Sequence, residues 1–140
     1  MSFTVNVINF NNIESFQYSI NWNATELTYV GVSDYTLPGL TPASFALNGN
    51  SKLGMSWLTP TGQPVSFANG VLFKVNFTAA KSGTAAMTFG NTPVTPEITG
   101  LNSIDLTNQT TFSPAVGTTD RKSTRLNSSH SIASRMPSSA

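Results

Sequence analysis

Ser15-Phe16-Gln17-Tyr18-Ser19-Ile20-Asn21-Trp22 alternates polar and apolar residues without a break. Successive side chains of an extended chain point to opposite faces. The octet therefore puts Phe16, Tyr18, Ile20 and Trp22 on one face and Ser15, Gln17, Ser19 and Asn21 on the other. A strand of this kind packs a core on one side and meets water on the other. The same period recurs along the chain. Phe3, Val5 and Val7 carry it near the start. Leu53, Met55 and Trp57 carry it in the middle, followed by Phe73, Val75 and Phe77, then Ala85, Met87 and Phe89.

Turn chemistry separates these runs. Asn11-Asn12, Pro38-Gly39, Asn48-Gly49-Asn50, Pro60-Thr61-Gly62, Asn69-Gly70, Lys81-Ser82-Gly83 and Gly90-Asn91 all favour reversal of the chain. Short strands at this spacing predict an all-β sandwich or barrel. Asn23-Ala24-Thr25-Glu26 is the one place where a helical turn is expected. No internal repeat or domain boundary is visible before Thr119.

The composition narrows the function. Charged residues are 9% of the chain, far below the usual quarter or so, as in many exported β-domains rich in Ser, Thr and Asn. No cysteine is present, so neither a disulfide framework nor a thiolate metal site can form. No apolar run is long enough for a membrane helix. Met1 leads straight into strand-like sequence with no signal peptide before it, so the chain is expected to be a piece of a larger multidomain protein or one whose export signal is missing. The formal charge of +1 comes from the end of the chain. Before Asp120 there are only Lys52, Lys74 and Lys81 against Glu14, Glu26, Asp34, Glu97 and Asp105. The folded part is slightly acidic and gives no footprint for nucleic acid.

Catalytic chemistry is missing from residues 1–119. They contain no histidine and no cysteine. Their five carboxylates are scattered, and the expectation for Glu97 and Asp105 is solvated loop acids. No dense Asp/Asn loop of calcium type and no phosphate loop occurs. The reading is therefore a binding module with no enzyme activity, no cofactor and no metal.

The segment Asn12 through Val32, with its Phe-Gln-Tyr-Ser-Ile-Asn-Trp core, resembles a strand pair of cohesin domains. Asn69-Gly70-Val71-Leu72-Phe73-Lys74-Val75-Asn76-Phe77 is similar to a later strand of the same family. Leu37-Pro38-Gly39-Leu40, Ser56-Trp57 and Thr92-Pro93-Val94-Thr95-Pro96-Glu97-Ile98 resemble the subgroup found in surface proteins of Bacteroidetes-like bacteria. The likeness spans about residues 3–117. Asn23-Ala24 stands where many members have Asp-Pro, and the Asn side chain can cap that turn as well. The resemblance implies a jelly-roll sandwich of about nine strands, related in fold to carbohydrate-binding modules. It implies an extracellular or cell-surface setting. The implied partner is a dockerin-type module in a polysaccharide-degrading assembly.

On that resemblance, the partner-binding face is expected to carry Ser15, Gln17, Ser19 and Asn21, with Lys74 and Asn76 from the later strand. The face has no aromatic or Arg anchor of the kind that dominates many interfaces. The alternative is direct polysaccharide binding through stacked aromatics, with Tyr35 and Trp57 as candidates. Trp57 and Trp22 are in phase with the core, which argues against them; Tyr35 lies in a loop. A third reading is a passive spacer.

From Asp120 the pattern stops, and the tail is expected to be either a disordered Ser- and Arg-rich linker or an artefact. Asp120 through His130, and Ser134 through Ala140 after a three-residue gap, resemble the in-frame translation of a short-read sequencing adapter. The expected domain is thus residues 1–119, with 120–140 a non-domain tail.

Overall fold

The computed structural model describes residues 1–119 and 129–135. Alternating sequence becomes strand throughout: β1 Ser2–Ile8, β2 Phe10–Trp22, β3 Leu27–Ser33, β4 Phe45–Asn48, β5 Lys52–Leu58 and β6 Val65–Phe67. These are followed by β7 Gly70–Ala79, β8 Gly83–Gly90, β9 Glu97–Gly100, β10 Thr111–Ser113, β11 Ala115–Thr119 and β12 Ser129–Arg135. Helical structure among the described residues is limited to three short 3-10 turns. Two sheets face each other. One has the order β10-β12-β1-β7-β3; the other runs β11-β8-β2-β5-β4, with β6 and β9 also pairing to β2. This is the jelly-roll β-sandwich expected. There are more strands than the expected nine because some sheet positions are interrupted, as where β8 and β9 both lie antiparallel along β2.

The segment Ser129–Arg135 pairs in parallel with β1 and antiparallel with β10. The rest of the tail, residues 120–128 and 136–140, lies outside the described residues.

Register explains the core. Phe16 stands opposite Trp57, Tyr18 opposite Met55 and Ile20 opposite Leu53 across β2 and β5. All six are buried, and they meet Phe3, Val5, Phe73 and Val75 from the other sheet in one core. Aromatic rings fill much of it at the spacings such pairs favour. Phe16 lies 5.2 Å from Trp57, and Tyr18 lies 5.0 Å from Phe89. At the far end Trp22 stacks on Tyr29 at 5.7 Å and meets Phe77 at 5.0 Å.

The predicted turn at Asn23 forms as its side chain suggested. Asn23 Oδ1 accepts the Thr25 N–H at 2.9 Å and the Thr25 hydroxyl at 2.8 Å. The Pro38-Gly39 turn is equally specific. Gly39 has φ +86°, and an added Cβ would stand 3.3 Å from the Trp57 indole nitrogen. That nitrogen donates to the Pro38 carbonyl at 2.8 Å, tying the turn to the core.

One core polar group is badly placed. The Tyr18 hydroxyl is buried without a hydrogen-bond partner among the described residues. Burial pushes its phenol above the usual tyrosine range. An unsatisfied buried hydroxyl costs about 1–3 kcal/mol. Tyr18→Phe keeps the ring and removes the liability. It is expected to raise stability by about 1 kcal/mol, visible as a melting temperature higher by roughly 4 °C. An unchanged or lower melting temperature means that the hydroxyl has found a partner.

Candidate functional site

The outer face of the second sheet carries the alternate residues of β2. Ser15, Gln17, Ser19 and Asn21 do share this face, as expected from their phase. Lys74 and Asn76 do not join them. Both lie on β7, which belongs to the first sheet. The predicted set is therefore split between two sheets, because alternation assigns a residue to a face but not a strand to a sheet. On the first sheet Asn76 completes a cross-strand ladder. Its Oδ1 accepts the Ser2 hydroxyl at 2.7 Å, and its amide donates to Ser33 Oγ at 2.9 Å. Lys74 pairs with Asp34 at 3.1 Å.

The second sheet is not bare at its centre. Gly90 stands opposite Ser19 and Glu97 opposite Gln17. An uninterrupted strand would need one residue between Gly90 and its successor opposite Gln17. Here Asn91 through Pro96 intervene, so the chain must leave the sheet plane. It crosses the outer face as a strap. Ser19 holds it twice: its hydroxyl donates to the Val94 carbonyl at 2.6 Å and accepts the Val94 N–H at 2.7 Å. Gln17 donates its side-chain amide to the Thr95 carbonyl at 3.1 Å. Ser19 is fully buried as a result. Gly54, opposite Ser19 on β5, leaves the room that the strap needs. A Cβ there would come within 3.0 Å of Pro93 and 3.1 Å of Val94.

Either side of the strap the face is open and nearly neutral. On one flank lie Asn21, Thr88 and Lys52, in register across β8, β2 and β5. A broad depression of about 540 Å³ borders this flank, lined by residues that include Asn21, Asn23, Glu26, Ser51 and Thr88. On the other flank Ser15 stands between Leu58 on β5 and Thr99 on β9. Leu58 is 72% exposed, and Leu101 and Ile104, just past β9, are also exposed. Sequence reasoning missed Leu58 as an exposed apolar residue on this face. Its phase contained the signal, since the residue after core-facing Trp57 must point outward.

The aromatic candidates fare differently. Trp57 is 2% exposed, so its ring offers no face to a sugar. This corrects its candidacy for stacking and agrees with its core phase. Tyr35 is half-buried, packed 5.9 Å from Phe45, with its hydroxyl donating to the Val32 carbonyl at 3.1 Å. None of the exposed large hydrophobic residues among those described is aromatic.

Among the described residues the carboxylates gather into no group of three or more that could hold a metal. Glu14 accepts the Ser103 N–H at 3.1 Å, and Asp34 pairs with Lys74. Asp105 accepts the Thr107 N–H at 2.9 Å, and hydrogen bonds from Thr107 hold its carboxyl below the usual range. No helix among the described residues is long and apolar enough to cross a membrane.

These features define a jelly-roll domain that presents one sheet face and gathers no catalytic residues among those described. The family model described as "Cohesin domain" matches residues 1–121, and the chain belongs to that family. Cohesin domains are protein-interaction modules. Similar solved structures agree in fold. The cohesin CaCohA2 of Clostridium acetobutylicum, solved in a complex with CaDoc0917, is 15% identical. The match covers 97% of this chain and 99% of that one, with a TM-score of 0.53. The sixth cohesin of Acetivibrio cellulolyticus scaffoldin B, solved with the Cel5 dockerin, is 17% identical over 91% of this chain and 79% of that one, at a TM-score of 0.54. A non-cellulosomal cohesin from the archaeon Archaeoglobus fulgidus is 12% identical over 96% and 89%, at a TM-score of 0.52. The comparison with curated proteins finds no match.

Proposed function

We propose that this cohesin domain captures a dockerin-type module on the outer face of its β11-β8-β2-β5-β4 sheet, as part of an extracellular or cell-surface assembly acting on polysaccharide. The observation that carries this is the face itself. It joins hydroxyl and amide side chains on β2 and β8 to an exposed aliphatic anchor, Leu58, on β5. A polar surface with a local apolar anchor suits a protein partner. Polysaccharide stacking is the weaker reading, since the rings it would use are buried or half-buried.

The test is isothermal titration of the chain against a panel of dockerin modules, beginning with CaDoc0917 and the Cel5 dockerin, with insoluble glycans in parallel. Retention of dockerin supports the proposal. Retention by glycan alone, or by nothing, overturns it.

The charge pattern adds a second expectation. Lys52 stands opposite Asn21 and Glu97 opposite Gln17 on this face, and neither is in an ion pair among the described residues. Association that rests on neutral contacts is weakly screened. Affinity is expected to change by less than roughly threefold between about 0.05 and 0.5 M salt. A steeper loss would mean that charge steers the complex.

The module boundary after Thr119 belongs to the same proposal, and the family match ending at residue 121 supports it. The segment Ser129–Arg135 joins the first sheet, away from the proposed docking face. Ser129–Arg135 sits between β1 and β10, so this boundary requires that β1 and β10 close the first sheet without it. A chain ending at Thr119 is then expected to fold and to bind as the full chain does. Loss of binding on truncation refutes that boundary.

A further inference from the structure

Resting on the dockerin reading above, we propose that the strap Asn91–Pro96 is a fixed recognition ridge: the partner closes over it, and it sets which partners fit.

Three observations carry this. The first is topological. Five more residues lie between Gly90 and Glu97 than the pairing with β2 requires, and they are laid on the outer face instead of looping off the sheet edge. The second is the latch. Ser19 Oγ engages both backbone groups of Val94, and Gln17 holds the Thr95 carbonyl. A hydroxyl that donates and accepts at one residue fixes both the height and the register of the strap. The third is steric. Gly54 lies under Pro93 and Val94, where an added Cβ would stand 3.0 and 3.1 Å from their side chains and press on the strap, so the sheet beneath receives them closely. A segment held in this way is preorganised, and ordering it costs nothing further on binding.

The strap's chemistry narrows its occupant. Asn91, Thr92, Pro93 and Thr95 are exposed, while Val94 is half-buried against the sheet. The exposed groups are uncharged. Lys52 lies on one flank and Glu97 at the foot of the other. Complementarity calls for a protein surface that is neutral where it crosses the ridge, with hydrogen-bonding and small aliphatic groups. A strongly charged polymer or an anionic membrane does not fit. Ser19 and Gln17 act as positioning residues: their groups serve the strap, and the strap serves the partner.

The experiment uses the full chain and the dockerin panel, read by calorimetry, with amide hydrogen exchange on the free protein. Thr95→Arg adds bulk and charge on the exposed ridge while keeping the backbone carbonyl that Gln17 holds. Binding is expected to weaken at least roughly tenfold, while Thr28→Arg on β3 of the other sheet stays within about twofold. Ser19→Ala is expected to speed exchange of the Val94 amide and to weaken binding while the global melt persists. Dockerin binding by the unchanged chain that Thr95→Arg leaves intact overturns the ridge and spares the docking site. Tighter binding by Ser19→Ala overturns it too, by showing the strap to be an obstacle. A Val94 amide that exchanges freely in the unchanged chain refutes the fixed latch. Failure of the unchanged chain to bind any dockerin removes the underlying reading itself.

Discussion

Trp57→Ala is expected to cost about 3–5 kcal/mol and to leave little folded protein at 37 °C. Large aromatic-to-alanine changes in cores fall in this range, because the cavity left behind collapses only partly. Whole domains are stable by only about 5–15 kcal/mol. The position makes the upper part of the range reasonable. Trp57 is 2% exposed and packs against Phe10 and Phe16 at 6.1 and 5.2 Å. It also carries a bond that a smaller residue cannot make, from its indole N–H to the Pro38 carbonyl. Trp57→Phe separates the two contributions. It retains most of the ring volume but orphans that carbonyl, and should cost about 1–3 kcal/mol. Urea unfolding measures both. A Trp57→Ala protein that folds within about 1 kcal/mol of the parent would mean that the ring is not in the core, and the stacking candidacy of Trp57 would return.

The same residue shows why most of this fold was legible in advance. Alternation is a local property, and burial follows from it once one face is known to be inside. Phe16, Tyr18, Ile20, Trp22, Leu53, Met55 and Trp57 are all buried where their phase put them. The Asn23 turn was legible for a similar reason, since a short side chain bonds the backbone two residues on. The site was read less well. Ser19 and Val94 are 75 residues apart in sequence, and no period links them. Nothing local says that Thr92-Pro93-Val94-Thr95-Pro96 will lie on the sheet instead of beside it. Nor could alternation separate Lys74 and Asn76 from Ser15 and Asn21, because it is blind to which sheet a strand joins. Polar residues of the right phase were therefore grouped into one surface that the fold divides between two sheets.

Leu58→Asp is expected to reduce dockerin binding by about thirtyfold or more, while leaving the melting temperature nearly unchanged. The factor corresponds to about 2 kcal/mol, the threshold for a residue that dominates an interface. Leu58 meets the conditions for such a role. It is 72% exposed in the free domain, so covering it removes much apolar surface from water. It stands on β5 directly opposite Ser15, whose small side chain leaves it unscreened on that side. Polar neighbours at Ser56 and Thr99 can supply the rim that keeps water out. An aspartate there would have to be desolvated without a partner or would hold the interface open. Val30→Asp is the matched control. Val30 is 63% exposed on β3, at the edge of the other sheet, so the change in chemistry is similar and only the location differs. Both variants should fold, since exposed substitutions away from special features usually shift stability by less than about 0.5 kcal/mol. If Val30→Asp weakens binding and Leu58→Asp does not, the partner docks on the first sheet. If both bind like the parent, the affinity comes from the strap and its flanks alone, and the aliphatic anchor has no part in it.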